Sequence, residues 1–291
     1  MFAIIGLGVV FGAVFGGYLL AGGKMTIILK ALPFEMMMIG GSGVGAFLIA
    51  NGGAIAKRTL ADFGKVLSGP KWKQTDYTDL LCLLFALSRT LKQKGIMAIE
   101  AHAEKPAESN IFTRYPKILK DHFAVDFICD TLRMMTMNLD DPHQVEDAME
   151  KQLEKHHHEA MQTTGALQSL ADGLPALGIV AAVLGIIKTM SAITEPPEIL
   201  GKMIGGALTG TFLGVFLAYG MVGPFATRMK QVIEEDHQFY MIIRASLVAY
   251  LHGNAPQIVV EIARGNVPST MQPSFFKLDE ALNALPPEAF G

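Results

Sequence analysis

The chain has 291 residues, 51% hydrophobic and only 18% charged, with a net charge of −3. A typical soluble domain is about a quarter charged, so the composition leans towards a membrane protein, and the balance of charge excludes a bulk nucleic-acid binder. Two cysteines, Cys82 and Cys129, fit reduced, buried thiols better than a disulfide framework.

A bilayer core of about 30 Å takes about 20 apolar helical residues. The first such stretch runs from Phe2 to Gly23. No basic residue precedes it and no clear small-x-small cleavage site follows, so a retained helix is expected rather than a signal peptide. A second span is expected from Met36 to Ala56, beginning with the apolar Met36-Met37-Met38. A third is expected from Gly173 to Ile193, with Lys188 near enough to its end to snorkel, and a fourth from Met203 to Pro224. None of the four, so bounded, carries a carboxylate near its middle.

Of the 24 Lys and Arg residues, 15 fall between Lys57 and Lys155. Lys57 and Arg58 follow the second span, and Arg228 and Lys230 follow the fourth. The two short connections, Gly22 to Glu35 and Thr194 to Lys202, are poor in positive charge. The positive-inside bias places the large loop, the tail and both termini in the cytoplasm. The expected fold is an all-α integral membrane protein. Helices 1 and 2 lie in 1–56, a helical cytoplasmic domain in 57–170, helices 3 and 4 in 171–224, and a cytoplasmic helix and tail in 225–291.

Within the loop, Leu80, Leu83, Leu84, Leu87 and Leu91 mark one helix face, and Gly95 stops that helix. A second run follows Pro116, with Val125, Ile128, Leu132 and Met135. A third starts at Asp141-Pro142-His143-Gln144, where Asp141 suits an N-cap, Pro142 the first turn and Gln144 a capping-box partner. It is expected to continue towards the third span. His156-His157-His158 lack the i, i+4 spacing of a helical metal site and read as a solvated charged face. After Pro224 the chain should stay helical to about His252, and the tail from Pro268 should be irregular. No internal repeat is present.

Small residues recur every four positions: Gly8, Gly12 and Gly16; Gly41 and Gly45; Ala181 and Gly185; Gly206, Gly210 and Gly214. Such stripes let helix backbones touch, within one subunit or between subunits, and so many of them suggest an oligomer. Polar residues at membrane depth are Ser42, Asn51, Thr189, Thr209 and Thr211. Thr209 can satisfy its hydroxyl on its own helix, while Thr211 sits among glycines where an ion path or partner can approach. Pro175 and Pro224 mark the cytoplasmic ends of spans 3 and 4, and Pro224 permits a kink. Asp172 suits a helix N-terminus at the membrane boundary. No P-loop, nucleophile elbow or zinc signature occurs, so neither an enzyme nor a cofactor is expected.

Phe15-Gly16-Gly17-Tyr18-Leu19 with Gly22-Gly23, the run Leu174-Pro175-Ala176-Leu177-Gly178-Ile179-Val180-Ala181-Ala182-Val183, and Gly210-Thr211-Phe212-Leu213-Gly214 with Leu217-Ala218-Tyr219-Gly220 resemble the MotA family of flagellar motor stator subunits. Tyr115-Pro116-Lys117-Ile118-Leu119 and Asn254-Ala255-Pro256 extend the resemblance over nearly the whole chain. The resemblance implies a ring, a pentamer in known members, around the membrane helices of a MotB dimer in the bacterial inner membrane. MotB supplies an intramembrane aspartate and anchors to peptidoglycan, and ion flow turns the ring against the rotor protein FliG. Pro175 and Pro224 match the prolines that couple ion flow to motion, and Thr211 matches the threonine beside the ion path. Glu100 matches the acidic residue of the rotor-facing loop. Its basic companion aligns with Lys92, where enterobacterial relatives have arginine, and Arg89 or Lys94 are alternatives for that role. Sodium-driven relatives carry threonine seven residues after the third-span proline, and Ala182 stands there, which implies a proton motor.

The nearest rival is an ExbB/TolQ-like energiser using the proton motive force for another partner. Those relatives have three spans, and the two short-looped first spans argue against it. A self-contained transporter needs broken helices or buried ionisable groups at the midplane, which the sequence does not display. A purely structural scaffold would conduct no ions with any partner.

Overall fold

A computed structural model describes residues 2–137, 139 and 141–286. Helices dominate, and no strand occurs among the described residues. The elements are α1 (Phe2–Leu20), α2 (Met25–Ala50), α3 (Gly53–Ser68), α4 (Gln74–Lys94), α5 (Ile96–Glu104), α6 (His122–Thr136), α7 (Pro142–Met190), α8 (Pro197–Leu251), α9 (Pro256–Gly265) and α10 (Phe275–Asn283). Short helical turns at Pro106–Glu108, Phe112–Arg114 and Pro116–Leu119 link α5 to α6. Positive φ at Gly22, Gly69, Gly95 and Gly253, a region that costs any residue with a Cβ, breaks the chain between helices.

Contacts divide the chain into two compact units. Unit 1 comprises Met1–Gly69 and Glu159–Ile233, and unit 2 comprises Pro70–His158 and Glu234–Gly291. α7 and α8 contribute residues to both. Among the described residues, four helices, α1, α2, α7 and α8, are long and apolar enough to cross a membrane.

The second span differs from expectation. Asn51 and Gly52 are extended, so α2 ends at Ala50 and a separate amphipathic helix, α3, follows. At its other end α2 begins at Met25, because the helix continues through Lys30 and Pro33. Glu35 therefore lies well inside α2 and is buried with Ile39 and Gly43, which overturns the expectation of spans without an inner carboxylate.

Pro175, expected at the cytoplasmic end of the third span, lies inside a helix rather than at its start: α7 runs unbroken through it. Proline has no N–H, so it cannot bond the Ala171 carbonyl one turn back. Asp172, in the same stretch, is no N-terminal cap and instead accepts a 2.8 Å bond from Gln168 Nε2. In α8 the chain forms π turns over Ala218–Val222, immediately before Pro224. Widened turns are one way to accommodate the carbonyl that proline leaves unpaired.

Unit 1 is held by close backbone contact. A Cβ placed on Gly178 would lie 2.8 Å from the Gly210 carbonyl oxygen and 3.0 Å from Gly214 Cα. One on Gly214 would lie 2.7 Å from the Leu174 carbonyl oxygen, and one on Gly185 would lie 2.6 Å from Ala207 Cβ. Ile39, Leu174, Ala181, Leu213 and Ala218 pack around this crossing. Phe11 and Phe15 of α1 make edge contacts with Phe216 and Phe212 of α8. No residue of α1 is buried.

In unit 2, α4 is buried on all sides rather than along one stripe. Leu80, Leu83, Leu84, Leu87 and Leu91 are joined in the core by Leu81, Cys82, Phe85 and Ala86. Both cysteines are free and buried, and burial pushes each thiol up to about 12. Trp72 stacks on Phe239 at 3.8 Å, with Lys71 and Lys117 over its ring. Asp141 caps α7 as expected, accepting from the backbone N–H groups of His143 and Gln144. Asp121 caps α6 through Ala124 N.

Two expectations in unit 2 fail. His156 and His157 do not form a solvated face: His156 stacks on Phe123 at 3.6 Å, and His157 lies 4.3 Å from the His237 ring. The tail beyond Pro268 is not wholly irregular, since Ser274 caps α10 and Leu278 enters the core.

An added methyl at Gly214 meets backbone on two sides. Gly214→Ala should therefore destabilise the detergent-solubilised chain by about 1–3 kcal/mol, read as a lowered Tm, whereas Gly165→Ala in open space should be neutral or stabilising. In unit 2, burial, with His157, His156 and Arg244 nearby, pushes the His237 imidazole down from 6.5 to about 4. Between those values the unfolded chain holds the extra proton. Stability is then fully present above about pH 6.5 and is lost as pH falls towards about 4. His237→Gln should flatten that part of the pH dependence, followed by the fluorescence of Trp72, the chain's one tryptophan.

Candidate functional site

Glu35 reaches α8 because Gly210 lacks a side chain. A Cβ on Gly210 would lie 2.6 Å from Glu35 Oε2, 3.2 Å from Ala181 Cβ and 3.2 Å from Ala182 N. Glu35 is 5% exposed, and its Oε2 has no hydrogen-bond partner. Ala182 is buried, and Thr211, the residue after Gly210, is half-buried. The structure thus brings Glu35 of α2 against Ala182 of α7 and Gly210 of α8, the residue before Thr211 in the chain.

Beside this slot lies a cavity of about 1050 Å³. Glu35 and Thr189 line it, together with the charged residues Lys24, Lys30, Lys188, Glu198 and Lys202. These five charged side chains are exposed, whereas Glu35 is buried. The cavity occupies the end of unit 1 where α2 and α8 begin and α7 finishes.

The other polar residues of the long helices bond to their own turns. Thr209 Oγ1 donates to the Gly205 carbonyl at 3.0 Å, and Thr189 Oγ1 donates to that of Gly185 at 2.9 Å. Ser42 and Asn51 do the same with Ile39 and Phe47. These hydroxyls and amides are satisfied locally, as expected for Thr209.

Pro175 belongs with the glycine crossing, since the Leu174 carbonyl beside it faces Gly214. Pro224 does not join Ala182 and Thr211. It is exposed after the π turns and lines a separate open cleft of about 510 Å³ with Gln168, Tyr219, Thr227, Arg228 and Gln231.

Lys92, Arg89, Lys94 and Glu100 lie in unit 2. Lys92 and Lys94 are exposed in the last turn of α4, where positive charge complements the helix dipole. Gly95, at φ 80, reverses the chain into α5, which carries Glu100 exposed. Arg89, one turn earlier, is half-buried. Burial, with Lys94 nearby, lowers the titration of His102. Among the described residues, no cluster of three or more His, Cys, Asp or Glu side chains is placed to hold a metal ion.

Glu35 is the residue the sequence reading passed over. The signal was present: Glu35, Ile39 and Gly43 recur every four residues, so the carboxyl shares a face with a packed glycine.

Residues 4–95 match the family described as Motility protein A N-terminal, and residues 120–241 match the MotA/TolQ/ExbB proton channel family. Motility protein A of Salmonella typhimurium is 37% identical over 285 residues, covering 98% of this chain and 96% of that one. Chemotaxis protein LafT of Vibrio parahaemolyticus is 33% identical, covering 92% and 94%. The fold is similar to that in the structure of MotAB from C. jejuni, with a TM-score of 0.73 at 16% identity over 92% of this chain and 95% of that one. It is equally similar to the MotAB stator complex of Bacillus subtilis, with a TM-score of 0.73 at 20% identity over 92% and 96%.

Proposed function

The chain belongs to the Motility protein A family of the MotA/TolQ/ExbB proton channels and is a flagellar stator subunit, and from that premise we propose how it works. Copies of the chain form a ring, five in number, around the membrane helices of a MotB-type dimer in the inner membrane. The large loop, the tail and both termini face the cytoplasm, where the turn at Lys92, Gly95 and Glu100 meets the rotor protein FliG. Protons pass between ring and partner, and the ring turns.

The observation that carries this reading is the division among the glycine stripes. Gly178, Gly210 and Gly214 are closed by contacts within the chain, whereas a Cβ on Gly8, Gly12, Gly16, Gly41 or Gly45 would meet nothing within 4 Å. The open stripes lie on α1 and α2, the two membrane-length helices with the fewest buried residues. Small-residue faces of this kind suit close approach by a neighbouring helix in a bilayer.

Movement of one charge through 100 mV releases about 2.3 kcal/mol, enough to cycle an exposed ionic contact worth about 1 kcal/mol or less. Opposite charges at the rotor-facing turn then steer and register the contact rather than bind tightly. Ala182 offers a methyl where a hydroxyl would help replace the hydration of sodium.

Deletion of the gene should abolish swimming without loss of filaments, and restored expression should rescue it. Lys92→Glu and Glu100→Lys should each cut the swimming rate by more than half while membrane levels stay normal. If neither charge reversal changes torque in tethered cells, the rotor contact lies elsewhere. Swimming should stop with a protonophore and be indifferent to external sodium; speed that tracks sodium and survives the protonophore would contradict the proton reading.

A further inference from the structure

The geometry points to Glu35 as a proton-binding group of this chain's own, set between the lysine-rimmed cavity and the slot at Gly210 and Ala182. We propose that it takes up protons from the cavity and passes them to the carboxylate of the partner helix enclosed by the ring. The inference rests on the stator reading above and adds to it a second acid, on the ring rather than on its partner.

Carboxyl groups inside membrane helices are costly and rarely kept without a role. A structural role would show as an ion pair or a satisfied hydrogen-bond network. Oε2 of Glu35 has no hydrogen-bond partner, and Glu35 forms no ion pair among the described residues. Its place is nevertheless built. Gly210 leaves the room that a methyl would take, at 2.6 Å from Oε2, and Ala181 and Ala182 close the slot from α7. The same slot lies against Ala182, one of the positions at which an ion path was expected from the sequence, and its Gly210 directly precedes Thr211 in the chain.

Water reaches this place through the cavity, which is roomy enough for many molecules at about 30 Å³ each. The charged groups that line it with Glu35 are Lys24 and Lys30 from α2, Lys188 from α7, and Glu198 and Lys202 from α8. All five are exposed, so their fields are screened by solvent, and the buried carboxyl is left as the proton acceptor at the inner end. The step is balanced simply. A hydronium ion in the cavity loses a proton and becomes water as an O–H bond forms on the Glu35 carboxylate. The neutral acid then gives that proton to the partner's carboxylate and is ionised again.

Glu35→Gln keeps the shape and removes the titration. In cells carrying the full complex, the inference expects at least a fivefold loss of swimming speed and proton flux, with co-purification of the partner unchanged, and partial recovery in Glu35→Asp. Normal speed in Glu35→Gln, in cells whose wild-type motor stops with a protonophore, overturns the inference and leaves the stator reading intact. A wild-type motor that survives the protonophore overturns the proton reading itself. If the Gln variant fails to assemble, native membranes of the wild type decide the matter. Dicyclohexylcarbodiimide should modify Glu35, read by peptide mass, with labelling that fades as pH rises. Absent or pH-independent labelling overturns the inference.

Discussion

Helices α7 and α8 cross so closely that there is no room for a side chain between them. In a bilayer no hydrophobic force draws helices together, so contact of this kind must come from packing, and packing needs small residues. Gly178 and Gly214 meet with their Cα atoms so near that a Cβ on either would clash with the other. Much of unit 1 depends on this crossing. It sets Ala181 and Ala182 against Gly210, holds the Leu174 carbonyl beside Pro175 against α8, and leaves at Gly210 the slot that Glu35 fills. A carboxyl group of α2 lies against Gly210 and Ala182 because the crossing of two other helices leaves room for it.

Unit 2 follows a different physical rule. Its central helix, α4, is surrounded, and its core is an ordinary water-excluded one built on Trp72, Phe239, Tyr240 and a run of leucines. The buried acids of this unit are compensated: Asp76 pairs with Lys117, and Asp121 pairs with Lys71 while accepting from the Tyr240 hydroxyl at 3.0 Å. Satisfied polar groups of this kind fix one arrangement of the core. The exposed charges of Lys92, in the last turn of α4, and Glu100, midway along α5, therefore stand on anchored helices rather than on a loose loop.

Much of this was legible in the sequence. Four long apolar runs, the stop at Gly95 and the cap at Asp141 are local signals, and each has its counterpart in the structure. Glu35 was missed because charge is averaged over a window. Lys30, Pro33 and Glu35 together push the apparent start of α2 eleven positions late, from Met25 to Met36. Only the periodic face shared with Ile39 and Gly43 betrays the carboxyl. The histidine run misled for a related reason: adjacent residues on a helix point apart, so His156 and His157 each found a separate aromatic partner that spacing along the chain does not reveal. Pro175 is readable as a proline but not as an interior one, because continuity of a helix through proline depends on tertiary packing that no local rule contains.

The π turns at Ala218–Val222 also settle a question of helical phase. On an ideal α-helix each residue advances about 100°, so a row of every fourth residue drifts by about 40° per step. From Gly210 through Gly214, Ala218 and Val222 to Ala226 the drift would reach about 160°, and the row would end on nearly the opposite face. Yet Gly210, Gly214, Ala218 and Ala226 are all buried. A π turn takes up one extra residue, or about 100° of that drift, and leaves about 60°. The widened turns before Pro224 thus act as a splice: they keep one side of α8 facing inward past the point where a regular helix would have turned it outward.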